Sequence, residues 1–143
     1  MTKSNLTSIR DAVEFPSFHD AELISVEHDP DAKSLAIRLK RVSGPVETLV
    51  FRGVIAQRMI DFADQNVASR LLISPRYHFS CDDLCAWVRW MYSRDDAKAP
   101  ELDRAITDRL YRDITEGQKV LFILEPSCGA ELAVICESAS ILT

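Results

Sequence analysis

Glycine is scarce in this chain. Gly44, Gly53, Gly117 and Gly129 are the only four, and none builds a glycine-rich loop ahead of a helix. Phosphate cradles of the P-loop or dinucleotide type need such a loop, because only glycine lets the backbone approach the phosphates closely. The G-x-S-x-G nucleophile elbow is missing as well, which argues against an α/β-hydrolase. Long apolar runs are also missing. The longest near the C-terminal end is Val120-Leu121-Phe122-Ile123-Leu124, far short of the ~20 residues a helix needs to cross a bilayer. The opening Met1-Thr2-Lys3-Ser4-Asn5-Leu6 has no apolar core of signal-peptide length. A membrane partner is therefore not expected, and the expected location is the cytoplasm.

Positive charge is in deficit too, with 17 Lys+Arg against 22 Asp+Glu and a net charge of −5. Binding to a phosphate backbone draws on a basic surface that releases counterions, so nucleic acid is not an expected partner. The best local basic group is Arg38, Lys40, Arg41 and Arg52, with Glu22, Glu27 and Glu47 interleaved along the chain. Cross-strand ion pairing on a solvated sheet face accounts for these charges. The four cysteines, Cys81, Cys85, Cys128 and Cys136, contain no C-x2-C knuckle. In a reducing compartment they read as small buried hydrophobes.

What is present is an ordinary globular composition, 47% hydrophobic and 27% charged over 143 residues. A chain of this length buries roughly 68–70% of its unfolded surface, enough for one core. Residues 1–143 read as a single domain, in which the polar residues 1–14 form a mobile arm or a short helix. Residues 21–28, 34–42 and 46–54 read as strands. Leu35, Ile37 and Leu39 alternate with Ala36, Arg38 and Lys40, the period of a half-buried strand. Asp29-Pro30-Asp31 and Ser43-Gly44-Pro45 mark the turns. Connections this short require antiparallel neighbours.

Residues 55–74 admit two readings. Ile55, Met59, Phe62 and Ala63 have helical spacing, whereas Leu71-Leu72-Ile73 resembles a buried strand. Ser80-Cys81-Asp82-Asp83 has capping-box spacing, and a helix is expected over 81–93 with Leu84, Trp87, Val88 and Met91 on one face. Pro100 and Gly117 bracket a second helix over 101–116, with Leu102, Ile106, Leu110 and Ile114 spaced by four. Residues 119–124 and 131–138 read as a hairpin with a longer loop. The expected fold is α+β: an antiparallel sheet, made of an N-terminal three-stranded meander plus a C-terminal hairpin, packed with two helices.

Three groups of residues invite a chemical reading. His78, Cys81 and Cys85 offer nitrogen and sulfur ligands within eight residues, but H-x2-C-x3-C is a loose spacing for tetrahedral zinc. Buried cysteine packing competes with it. His19, Asp20 and Glu22 offer a base beside two carboxylates, or a turn leading into a strand with Asp20 bonding backbone amides. Cys81 at a helix start and Cys128 in a loop are the candidate reactive thiols, although Asp82 and Asp83 oppose a thiolate at Cys81. Trp90 lies about 120° from Leu84 on a helical wheel. With Arg89 beside it, it is the candidate interface anchor; packing beneath the connection to the second helix competes.

The succession Phe18-His19-Asp20-Ala21-Glu22-Leu23, then Leu49-Val50-Phe51-Arg52-Gly53-Val54, then Gln65-Asn66-Val67 resembles short bacterial proteins of unknown function. A weaker echo follows at Gly129-Ala130-Glu131-Leu132. Some similar domains are predicted to be immunity proteins that neutralise a toxin. The resemblance implies an antiparallel-sheet domain and brings no catalytic residues or cofactor with it. The expected function is a non-catalytic, immunity-like protein-interaction domain, with a protein partner or a second copy of itself. A small enzyme or metal-binding protein using His19/Asp20/Glu22 or His78/Cys81/Cys85 is the alternative.

Overall fold

Side chains alternate across a strand, so Leu35, Ile37 and Leu39 enter the core together while Arg38 and Lys40 face out. The same logic repeats through a computed structural model that describes residues 6–10, 15–93 and 103–142. The strands are β1 (Leu6–Ser8), β2 (Glu22–Asp29), β3 (Ser34–Lys40), β4 (Val46–Arg52), β5 (Ala56–Ile60), β6 (Val67–Ile73), β7 (Val120–Cys128), β8 (Glu131–Cys136) and β9 (Ser138–Leu142). Two helices, α1 (Cys81–Tyr92) and α2 (Arg104–Thr115), lie between β6 and β7 in sequence. The protein is α+β with an antiparallel sheet. The expected meander and hairpin understate that sheet, which among the described residues has nine strands in the order β1-β9-β4-β3-β2-β6-β7-β8-β5.

The additional strands have identifiable causes. Residues 55–74 form two strands, β5 and β6, because β5 pairs with β8 and β6 with β7. Within the stretch read as an arm, Leu6–Ser8 pair with β9 and Ile9 is buried. The loop expected after residue 124 is largely strand, since β7 continues past Pro126 alongside β6. Proline is tolerated there because the pairing is irregular between Val67 and Arg70.

The sheet is curled over on itself. Phe51 of β4 and Phe122 of β7 are four strand spacings apart, about 19 Å in a flat sheet at ~4.8 Å per strand. Their ring centroids are 4.7 Å apart. One core therefore fills the inside, formed by Leu23, Leu35, Leu49 and Ile141 from one half and Leu124, Leu132 and Val134 from the other. A second core lies on the outer face of the β6-β7-β8-β5 half. There α1 and α2 cover Leu72, Leu121, Ile123 and Ile135 with Leu84, Val88, Leu110 and Ile114.

The halves join at a corner where the register between β2 and β6 is a single pair, Glu22 with Val67. Backbone bonds from Leu23 N to Asn66 O (2.8 Å) and from Ala68 N to Ala21 O (2.8 Å) complete it. Asn66 is buried, and its Oδ1 accepts from the amides of Ala63 (2.9 Å) and Ala130 (3.0 Å). Gly129 is left-handed at φ 77, and a Cβ there would run into the Gln65 carbonyl and Asn66. Close backbone approach is what requires glycine at this position.

Both helices have well-defined caps. Ser80 Oγ accepts from the Asp83 amide at 3.1 Å, at the expected start of α1. For α2 the N-cap is Asp103, which accepts from Ala105 N at 2.9 Å. The described helix follows Asp103, and Pro100, Glu101 and Leu102 of the expected helix start lie outside the described residues. At its C-terminal end, Gln118 N donates to Asp113 O (2.8 Å) and Gly117 N to Ile114 O (3.2 Å). With Gly117 at φ 81 this is a Schellman ending.

Candidate interaction surface

The fold keeps two of the pairs that invited a chemical reading, His19 with Asp20 and Cys81 with Cys85, but gathers no third ligand to either among the described residues. His19 Nδ1 lies 3.1 Å from Asp20 Oδ2, with the two side chains 70% and 55% exposed. Glu22 belongs to β2, where its Cα partners are Lys40 and Val67. Cys81 is exposed on the first turn of α1 and Cys85 half-buried one turn on. Burial, and next the neighbouring Cys81 thiol, push the Cys85 thiol pKa up, away from an activated thiolate. His78 instead lines a small cleft with Pro75, Phe79, Ile114 and Thr115, beside the end of α2. Cys128 is exposed, and burial pushes the Cys136 thiol up to about 12. Among the described residues, no three His, Cys, Asp or Glu side chains are grouped to hold a metal ion.

The expected ion-pair lattice on the outer sheet face is also sparse. Arg41 pairs with Glu47 at 3.5 Å. Among the described residues, Arg38, Lys40 and Arg52 have no ion pair, and Arg38 lies between Ser25 and Thr48 on the neighbouring strands.

Trp90 is half-buried and clamped. The Arg58 guanidinium sits 4.7 Å from its ring centroid and donates to the Trp90 carbonyl at 3.0 Å. Trp87 meets it edge-on at 5.7 Å. Cation–π and edge-to-face contacts of this kind fix a ring in place. Arg89 is exposed on the last turn of α1, where a cation suits the helix dipole. Tyr92, 40% exposed, is the aromatic of α1 that reaches solvent most openly.

Tyr92 leads to a site that the sequence reading missed. The end of α1, the β2–β3 turn and the segment from β4 into β5 enclose an open groove of about 350 Å³. Val54, Ala56 and Met91 supply apolar walls, while His28, Lys33 and Tyr92 bring polar groups. The turn is built by Asp29, whose Oδ1 accepts from the amides of Asp31 (3.1 Å) and Ala32 (3.0 Å). Lys33 N then donates to Pro30 O at 3.4 Å, and Val54 N donates to Lys33 O at 2.8 Å. That last bond ties the turn to the chain leaving β4.

Lys33 itself is left-handed, at φ 52. Asp29-Pro30-Asp31 marked the turn in the sequence, but nothing local revealed that a lysine would take its left-handed position. The groove runs into β5, the last strand of the sheet, which pairs only with β8 among the described residues. Ile55 and Phe62 flank this edge, 44% and 55% exposed. The site offers contact area, hydrogen-bond donors and a strand edge with no neighbouring strand among the described residues.

Comparison of the chain with family models, with curated proteins and with solved structures finds no match in any of the three. Among the described residues no helix is long and apolar enough to cross a membrane.

Proposed function

We propose that this chain is a non-catalytic protein-interaction domain of the immunity type, which docks a protein partner on the β5 edge and the end of α1. The observation that carries the reading is the exposure of Ile55, Phe62 and Tyr92 around a strand edge with no partner among the described residues. Exposed apolar groups beside an open edge are costly in an isolated protein, because they invite association. A binding surface gives them a use. The high exposure of the His19–Asp20 pair, with no third metal-ligating side chain beside it among the described residues, supports the same reading.

The test is co-expression with the product of a neighbouring toxin-like gene. The wild-type chain is expected to restore growth and to form a stoichiometric complex. The variant pair Ile55→Glu and Phe62→Glu, folded by circular dichroism, is expected to lose both. Rescue undiminished in that variant rejects the surface. One equivalent of metal in the purified protein rejects the non-catalytic, metal-free reading itself.

A further inference from the structure

The geometry points to the groove at Lys33 as the seat of an extended, acidic and apolar segment of the partner protein, laid beside β5. This inference rests on the docking surface proposed above and adds the chemistry of what it takes. Three observations carry it. The first is charge: Lys33 is the cation lining the groove, beside the His28 imidazole, and among the described residues no carboxylate lines it. Asp29, Asp31 and Glu137 are near in the fold but lie outside the lining, and Asp29 is engaged with its own turn. Among the described residues the Lys33 ammonium has no hydrogen bond or ion pair. A lysine with no counter-charge among the described residues of the hollow favours an acidic occupant, even on a chain of net charge −5.

The second is backbone strain. Lysine pays a steric penalty at φ 52 that glycine does not. Residues kept in such conformations cluster at binding sites, and here the strain holds a lysine where glycine would fold more easily. The third is shape. The groove is open, so a small molecule would leave much of its surface in water, unlike the usual ligand pocket. Ala56 belongs to both the groove wall and the edge strand. A segment lying in the groove is therefore positioned to add to the sheet, with main-chain bonds giving affinity and side-chain pockets giving selectivity.

The experiment uses the full chain and a panel of fluorescent peptides alternating Asp or Glu with Leu or Phe. A matched panel carries Asn and Gln in place of the acids. Acidic peptides are expected to bind and to shift the Met91 methyl and His28 ring resonances. Lys33→Glu is expected to weaken binding at least about tenfold. Lys40→Glu, an equal charge change on the outer sheet face, is expected to leave it intact. Lys33→Gly is expected to raise the thermal midpoint while losing the same affinity, which separates binding from folding.

Equal binding by the neutral panel overturns the inference, as does equal loss in Lys40→Glu. Absence of any shift at Met91 and His28 with millimolar acidic peptide does so as well. Growth rescue that depends on Ile55 and Phe62 but is indifferent to Lys33→Glu overturns this inference and leaves the docking surface standing.

Discussion

Asn66 is a polar side chain in an apolar setting, and its burial is made tolerable by three hydrogen bonds of its amide. Oδ1 takes two backbone amides, and Nδ2 donates to the Ala63 carbonyl at 2.7 Å. Removing the side chain would strand those amides at a buried corner, where an unsatisfied group costs about 1–3 kcal/mol. Asn66→Ala is therefore expected to lose about 2–4 kcal/mol in urea denaturation. Gly129→Ala is expected to be at least as damaging, because its methyl meets the Gln65 carbonyl. Three of the stretches that carry the resemblance, Phe18–Leu23, Gln65–Val67 and Gly129–Leu132, meet here, while Leu49–Val54 lies in and just after β4. The first three build the corner of the sheet. The groove at Lys33 shares only Val54 with the four stretches.

Among the elements, α2 illustrates how far a pattern can be read. Leu110 and Ile114 are buried as their spacing requires, but Ile106 is 52% exposed and Thr107 is buried instead. The cause is helical geometry: at about 100° per residue a strict four-residue ladder drifts about 40° per step. Two steps back from Ile114 the drift is about 80°, whereas Thr107 is only about 20° away. Its hydroxyl satisfies itself on the Arg104 carbonyl at 3.0 Å. Ile106→Lys is accordingly expected to change stability by less than about 0.5 kcal/mol. Leu110→Ala, in the second core, is expected to cost about 2–5 kcal/mol, both checked by thermal unfolding. Elsewhere the strands around Ile37 and Leu49 and the start of α1 at Ser80 were legible because their signals are local. Residues 55–74 were not, since Met59 and Phe62 fit a helix as well as a strand until β8 and β7 supply the pairing.

For the whole molecule, the decisive contact is the one between Phe51 and Phe122, which no local pattern contains. Phe122 is fully buried between the two halves of the sheet. Phe122→Ala is expected to lose about 3–5 kcal/mol, because the cavity opens where the layers meet. A midpoint shift in denaturant comparable to a surface change would mean that the layers are not closed over this ring. Strand order is likewise invisible to periodicity: β9 follows β8 in sequence yet crosses to the other half to lie between β1 and β4. The pairing of β1 with β9 sets Leu6 opposite Leu142. The two extremities of the described polypeptide therefore stand shoulder to shoulder. A short bridge between them would recircularise the backbone, and new ends could be cut at an exposed bend such as Ser43-Gly44 without disturbing a single rung of the ladder.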